Sequence, residues 1–420
     1  MNKNKFIPTI NISSIFEKSS NSKEINKIIK QIENACINVG FFQITGHGIS
    51  LKKIRNLCKV GENFFKSNFK NKSKLASKKW NKNNKNIYRG YFPNDVNGKE
   101  GLDIGDLRVT KSFSNKINNR YIEYIDLNKS FNKNEIKILS DYFDRIFNLS
   151  ETLFKCIIII YKKDPSLSKL VFSRLKTLST LRFNYYPKQA SPVEISKQDG
   201  VPLGCETHVD SGIFTILYQD KCGGLQVQNR KNKRWYDVPF NRNALVVNTG
   251  RALEFLSKNK FRATNHRVLW NRRERLSVPF FFEPSFDFKM NKDYSQDLSE
   301  IRNLMNRSSR FLSLSGTSGI MAGIYAITGA GIAKIFFFPT FPTQLDYQNT
   351  GYAHSQVLPI VIDLLLVLLL SVVTAYVLSV KEAKKNDEKI WDETAKRLVF
   401  HFLVPLLTGG AYILLKLNQG

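Results

Sequence analysis

The sequence predicts an α+β protein in which amphipathic helices precede a β-rich core and three apolar helices follow it. Two observations predict the first part: apolar residues recur at helical spacing near the N-terminus, and short β-prone runs fill residues 179–282. The third observation is a set of C-terminal apolar segments of about 20 residues, the length that crosses a bilayer core.

The N-terminal region is predicted to be mainly helical. Apolar residues repeat at helical spacing over 25–39, with Ser22 as the candidate N-cap. A second helix is expected to end at Phe65, and a long third helix is expected over 132–161. The Gly-, Asn- and Lys-rich stretch 71–128 is expected to be mostly loop.

Seven short runs between residues 179 and 284 are rich in Val, Ile, Phe and Tyr and are separated by Gly, Asn and Pro. They are LRFNYYP, GIFTILYQ, GGLQVQ, KRWYDVPF, ALVVNTG, RATNHRVLW and RLSVPFFFEP. Runs of this length at these intervals are typical of an all-β sandwich or barrel.

The C-terminal region is predicted to form a transmembrane bundle of three helices. Its spans are 312–333, 357–380 and 398–417. The segment 381–397 holds six Lys or Arg and the segment 334–356 holds one, so the positive-inside rule places the former in the cytoplasm. The expected location is therefore the membrane, with the preceding β-rich core in the cytoplasm.

The positive charge of the chain raises two classes of partner, nucleic acid and an anionic membrane. Lys and Arg outnumber Asp and Glu by 64 to 35, a formal charge of +29. The basic residues are scattered through Asn/Lys-rich runs without the interleaved aromatic residues of a single-strand binding surface, so no nucleic acid is expected as a partner. The five cysteines form no CxxC pair, which predicts reduced thiols rather than a disulfide framework or a zinc site.

A candidate metal site lies within the β-rich region. His208 and Asp210 form a His-x-Asp pair, and His266 follows 55 intervening residues later. Two imidazoles and one carboxylate suit Fe(II), because they leave coordination positions for a bidentate oxoacid and O₂. Residues two apart on a strand point to the same face, so we expect the pair on one strand. A bare His-x-Asp pair is also a frequent loop sequence, and the interpretation depends on its context.

That context is a candidate carboxylate site. Arg275 and Ser277 open the last β-prone run and alternate to one face of it. A guanidinium and a hydroxyl group together can bind a carboxylate, which is what the far end of 2-oxoglutarate presents.

Residues 7–286 resemble the isopenicillin N synthase-like branch of the Fe(II)/2-oxoglutarate-dependent dioxygenases. The matching segments occur in the family's order: GFFQITGHGI, LRFNYYP, THVD, GGLQVQ, RWYDVP, ALVVNTGRALEFLSKNKFRATNHRV and RLSVPFFFEP. The resemblance implies a double-stranded β-helix, or jelly roll, wrapped by N-terminal helices. It also implies O₂-dependent hydroxylation, desaturation or ring closure of a small organic substrate, while 2-oxoglutarate is split into succinate and CO₂.

The resemblance assigns roles to seven residues. The implied catalytic Fe(II) ligands are His208, Asp210 and His266. The implied binding residues for the co-substrate 2-oxoglutarate are Arg275, Ser277, Tyr186 and Asn184. The same Arg-x-Ser pair serves family members that use no 2-oxoglutarate, so a member of that kind is the alternative.

The organisation expected from these patterns has four parts. They are an N-terminal helical region (1–175), a jelly-roll catalytic core (176–290), a junction (291–310) and a transmembrane region (311–420). The segment from Asp297 onward resembles uncharacterised small prokaryotic integral membrane proteins.

A dioxygenase-like segment followed directly by a segment that resembles membrane proteins allows three interpretations. The first is a membrane-tethered oxygenase, and the second is a membrane protein whose jelly roll is a catalytically idle binding domain. The third is an artefactual fusion of two reading frames, which would leave a cytoplasmic enzyme. The complete ligand set favours an enzyme over an idle domain.

Overall fold

The computed structural model describes residues 6–17, 21–93, 99–117, 122–160, 174–188, 192, 194–270, 272–285, 316–332, 334–335, 362–363, 365–374 and 377. By its internal contacts the chain divides into two compact units, Met1–Arg310 and Phe311–Gly420.

The first unit contains short helices as well as three long ones, and the long ones lie where apolar residues recur at helical spacing. Their bounds are α1 (Ser22–Asn38), α2 (Leu51–Lys66), α3 (Phe69–Ser73), α4 (Lys111–Ile117), α5 (Lys133–Ile160) and α6 (Arg251–Leu256). The three predicted N-terminal helices are thus confirmed as α1, α2 and α5. The cap of α1 differs from the prediction, because Asn21 rather than Ser22 accepts a hydrogen bond from the backbone N–H of Lys23.

The strands of the first unit form two sheets. Their bounds are β1 (Thr9–Asn11), β2 (Phe41–Thr45), β3 (Gly90–Phe92), β4 (Glu100–Ile104), β5 (Thr180–Tyr186), β6 (Glu194–Ile195), β7 (Pro202–His208), β8 (Phe214–Gln219), β9 (Leu225–Gln228), β10 (Trp235–Asp237), β11 (Leu245–Thr249), β12 (His266–Leu269) and β13 (Arg275–Phe282). The large sheet has the order β1-β2-β11-β8-β13-β5-β4-β3, and the small sheet has the order β10-β9-β12-β7-β6. Two facing sheets of this kind are consistent with the expected jelly roll.

The seven predicted β-prone runs each contain a strand, and six further strands lie outside these runs in the described part of the chain. Two of them, β3 and β4, lie in the stretch 71–128, whose described residues are otherwise mostly loop, as expected. They are short and hold Gly and Asp, so neither alternation nor β-propensity marks them. Pairing with β5 along Glu100–Ile104 specifies β4 instead, and pairing with β4 specifies β3. The contact between β4 and β5 is not local in sequence.

The large sheet separates two apolar cores. On its outer face α1, α2 and α5 cover one continuous core, in which the ring of Phe143 meets that of Phe280 edge to face at 5.3 Å between centroids. The inner face carries a smaller cluster that includes Val246 of the large sheet and Val227 and Val268 of the small one. Charged and polar side chains of the large sheet that point inward therefore enter the space between the sheets.

The second unit contains α7 (Gly316–Ile332), which lies inside the first predicted membrane span. With 17 residues it is shorter than the roughly 20 that a bilayer core requires. In the part of the chain that the structure describes, no helix combines the length and the apolar character needed to cross a membrane. The predicted transmembrane bundle is thus not supported. Its third span, 398–417, falls outside the described residues.

Candidate active site

The three predicted metal ligands meet at one end of the space between the sheets. His208 is the last residue of β7 and His266 the first of β12, and the two are paired across these neighbouring strands of the small sheet. The ligand atoms of His208, Asp210 and His266 all lie within 4.8 Å of one another, and no other group of three or more such side chains occurs among the described residues.

Asp210 does not lie on the strand that carries His208. β7 ends at His208, and Asp210 belongs to the turn that follows, so the expectation of one strand for the pair was wrong. The turn is held in place by the start of α6, where Arg251 N–H donates to the Asp210 carbonyl at 2.9 Å. It also packs so closely on Gly250 that a Cβ there would lie 2.2 Å from the Gly212 carbonyl oxygen.

The two oxygens of Asp210 have different partners. Oδ2 accepts hydrogen bonds from Thr215 Oγ1 at 2.6 Å and from Asn248 Nδ2 at 2.8 Å. Oδ1 faces the imidazoles, 3.8 Å from His208 Nε2 and 3.7 Å from His266 Nε2. A carboxylate held in this way presents one oxygen to a metal ion.

Backbone carbonyls select the tautomer of both imidazoles. His208 Nδ1 lies 2.8 Å from the Glu206 carbonyl, and His266 Nδ1 lies 3.2 Å from the Thr264 carbonyl. A carbonyl oxygen only accepts, so each Nδ1 carries a proton, and Nε2 of each ring is the nitrogen left to bind a metal ion once it is deprotonated. Two neutral imidazoles and one carboxylate oxygen are the donor set that Fe(II) accepts.

Charge and burial shift the pKa values of the three groups in different directions. Burial lowers the pKa of His266, and the neighbouring His208 adds to this, giving about 4. Burial also disfavours the charged form of His208, but Cys205 and Asp210 outweigh it and raise the pKa of His208 to about 9. For Asp210 the burial is outweighed by the two imidazoles and the hydrogen bonds to Oδ2, so its pKa lies below the usual value.

The four predicted co-substrate residues share one face of the large sheet. Arg275 is paired with Tyr186 and Ser277 with Asn184 across β13 and β5. Residues directly opposite in a sheet point the same way. The intervening Leu276 packs in the core on the helix side, so these four side chains point toward the small sheet.

Arg275 has one unsatisfied hydrogen-bonding group. The Arg275 side chain is 1% exposed. Its Nε donates to the Gly223 carbonyl at 2.8 Å, and its Nη1 donates to Ser277 Oγ at 3.1 Å. The guanidinium lies over the Tyr186 ring, 4.8 Å from the centroid. Its Nη2 is buried and has no partner among the described residues, which fits a site for a ligand carboxylate.

Four further residues of the site were not predicted. Thr215 and Asn248 support Asp210, and the ammonium of Lys99 donates to Cys205 Sγ at 3.1 Å beside Tyr186. Asn248 carries a sequence signal, because an amide inside the apolar run ALVVNTG requires a buried partner. Thr215 carries none, since threonine is common in strands. Burial raises the pKa of the Cys205 thiol, but Lys99 and His208 lower it to about 6.

Comparisons with known proteins agree with this architecture. Residues 177–284 match the family model of the 2OG-Fe(II) oxygenase superfamily, and residues 7–132 match that of the N-terminal region named for a non-haem dioxygenase in morphine synthesis. A probable iron/ascorbate oxidoreductase of Dictyostelium discoideum is 29% identical, over 72% of this chain and 86% of its own length. Isopenicillin N synthase of Streptomyces griseus is 28% identical, over 66% of this chain and 83% of its own.

The solved structures that resemble this chain share its fold. The dioxygenase for auxin oxidation of Arabidopsis thaliana, solved as a binary complex with 2-oxoglutarate, superposes with a TM-score of 0.53 at 21% identity. The match covers 68% of this chain and 95% of that protein.

Proposed function

We propose that this chain, which is a non-haem Fe(II)/2-oxoglutarate-dependent dioxygenase acting on a small organic substrate, binds iron through His208, Asp210 and His266. The observation that carries the assignment is the convergence of two Nε2 atoms on Asp210 Oδ1, with the tautomers set by backbone carbonyls and Oδ2 already occupied. Bound Fe(II) supplies the one-electron chemistry with O₂ that couples co-substrate oxidation to substrate oxidation.

We further propose that Arg275 and Ser277 bind the distal carboxylate of 2-oxoglutarate. The support is the buried Nη2 of Arg275, which needs an acceptor, and the Ser277 hydroxyl beside it. Tyr186 forms the wall under the guanidinium, and Asn184 faces Ser277 across the strand pair. The protein's own contribution is thus to orient the co-substrate and to keep water from its anchored end.

The other function that the sequence allows, a catalytically idle binding domain, is not favoured. A binding domain has no need for two imidazole tautomers set toward one carboxylate oxygen, nor for a buried guanidinium with an unsatisfied group. The outcome of the oxidation, whether hydroxylation, desaturation or ring closure, depends on the prime substrate.

The test is a paired measurement of iron content and succinate formation. Purified protein is reconstituted with Fe(II), supplied with 2-oxoglutarate and O₂, and assayed for succinate, which forms even without a prime substrate when turnover is uncoupled. His208→Ala should lose both stoichiometric iron and succinate. His47→Ala, which removes another buried histidine that lies outside the ligand group, should keep both. Full iron occupancy in His208→Ala would refute the ligand assignment.

A further inference from the structure

The contact between Lys99 and Cys205 joins the two sheets beside the metal site. Lys99 directly precedes β4 of the large sheet, and Cys205 lies within β7 of the small sheet. The ammonium nitrogen and the sulfur are 3.1 Å apart, and both side chains are half-buried. An amine and a thiol are therefore held in direct contact by two different elements of the fold.

This pair differs from the other thiols of the protein. In the described part of the chain, Cys205 is the one cysteine within hydrogen-bond distance of a lysine amine. Cys36 and Cys156 are buried among apolar residues, and Cys222 contacts the Glu274 carbonyl at 3.4 Å. Cys222 is thus a natural comparison, because it is also half-buried but has a carbonyl oxygen where Cys205 has an amine.

The position of the pair exposes it to the enzyme's own oxidant. Cys205 Sγ lies 3.9 Å from His208 Nδ1, and Lys99 Nζ lies 5.8 Å from the centre of the Tyr186 ring. The sulfur therefore lies beside one of the proposed ligands of an iron site whose co-substrate is O₂. Oxidation of cysteine sulfur begins with the addition of one oxygen atom, which here would lie between the sulfur and the neighbouring amine.

We propose that Lys99 and Cys205 form a covalent nitrogen–oxygen–sulfur bridge in the oxidised protein. The ammonium and thiolate react with one O₂ to give the bridge and one water molecule. The sulfur and the nitrogen each lose two electrons, and O₂ takes up four. One oxygen atom enters the bridge, and the second leaves as water with two of the three ammonium protons. One N–O bond and one O–S bond form while the O–O bond and two N–H bonds break, and no further oxidant is needed.

The bridge would act as a reversible redox switch. It ties the large sheet to the small sheet next to Tyr186, the wall of the proposed co-substrate site, and it inserts an oxygen atom there. The bridged protein should therefore bind 2-oxoglutarate more weakly than the reduced protein. An excess of a dithiol reductant should restore the free amine and thiol, because it supplies the four electrons required: two cleave the S–O bond to give the thiol and a lysine hydroxylamine, and two more reduce the N–O bond to the amine and water.

Mass spectrometry of the full-length protein tests the proposal directly. Protein kept in air, compared with protein kept anaerobically with reductant, should gain one oxygen and lose two hydrogens in intact mass. Peptide mapping should show the Lys99 and Cys205 peptides linked, with the Lys99–Glu100 bond resistant to a protease that cuts after lysine. Reductant should reverse both changes. The readout requires no turnover, so it succeeds or fails independently of the proposed dioxygenase activity.

Three variants make the result specific. Lys99→Arg keeps the positive charge but removes the primary amine, and Cys205→Ser removes the sulfur, so neither should show the mass change. Cys222→Ser should behave like the unaltered protein. The proposal is overturned if the aerated protein keeps its reduced mass, or if Cys205 is oxidised without linkage to Lys99, because Lys99 and Cys205 are then only an ion pair.

Discussion

Substitution of Arg275 separates co-substrate binding from metal binding. Arg275→Leu removes a guanidinium that is 1% exposed and lies on β13, while the proposed iron ligands lie on or next to strands of the other sheet. The variant should therefore keep its iron and lose affinity for 2-oxoglutarate. The permanent positive charge of arginine is suited to a carboxylate and not to a cation.

The expected loss follows from the hydrogen bonds of the guanidinium. Nε and Nη1 already have protein partners, which leaves Nη2 as the main group for the ligand. A hydrogen bond to a charged group contributes about 1.5–3 kcal/mol, and truncation of a buried charge partner costs about 2–5 kcal/mol. We expect the overlap of these ranges, about 2–3 kcal/mol, which corresponds to a roughly 30- to 150-fold rise in Kd. Arg275→Lys keeps the positive charge but not the planar guanidinium with its several N–H donors. Its loss of affinity for 2-oxoglutarate should therefore be smaller, about tenfold.

Isothermal titration of the iron-loaded protein with 2-oxoglutarate under anaerobic conditions measures this loss. The matched control is Arg273→Leu, the same change at an exposed position two residues earlier. Iron stoichiometry and the thermal unfolding midpoint should be recorded for each variant, to separate loss of binding from loss of fold. Equal 2-oxoglutarate affinity in Arg275→Leu and Arg273→Leu would refute the assignment and favour a member of the family that does not use 2-oxoglutarate.

Four other predictions concern the metal site. Asn248→Leu removes a hydrogen bond to Asp210 Oδ2 and should weaken iron binding about 10- to 100-fold in competition titrations, whereas unchanged affinity would argue against a supporting role. The pKa of His208 is raised to about 9 in the metal-free protein, so binding of iron must displace one proton from this side chain. The affinity for Fe(II) should therefore rise with pH up to about 9 and then level off. Calorimetry in buffers of different ionisation enthalpy should detect the released proton. By the same shift, protonated His208 should stabilise the metal-free fold fully below pH 6.5 and progressively less as pH rises through about 9. Gly250→Ala should lower the free energy of unfolding by about 1–3 kcal/mol, because its Cβ would meet the Gly212 carbonyl, and an unaltered melting curve would contradict that.

The sequence predicts those elements whose pattern is local. The apolar residues of α1 at helical spacing and the β-branched and aromatic runs of β8 and β13 carry their signals within one segment. β4 does not, because it owes its extended backbone to pairing with β5, which lies beyond α4 and α5 in the sequence. The capping of α1 by Asn21 rather than Ser22 is a choice between adjacent polar residues that propensity alone does not resolve.

The candidate site likewise contains residues that the sequence identifies and contacts that only the fold creates. Residue types and spacing identify His208, Asp210 and His266, because their chemistry is rare in combination. Where Asp210 lies was not predictable, since its place in a turn depends on α6 and Gly250, which are distant in sequence. Lys99 and Cys205 carry no motif, and only the approach of the two sheets brings the amine and the sulfur together.

The supports of Asp210 belong to a different sheet from the two histidines, and this has a thermodynamic consequence. Thr215 and Asn248 are on β8 and β11, whereas His208 and His266 are on β7 and β12. An ion bound by the three ligands is therefore a cross-link between the layers, which cannot separate without releasing it. The free energy of metal binding adds to the cohesion of the sandwich by mass action, at about 1.4 kcal/mol for each tenfold excess of free ion over its Kd. Scarcity of iron would then lower the resistance of this enzyme to unfolding and proteolysis as well as its turnover, so that its abundance in a cell would follow the supply of the metal.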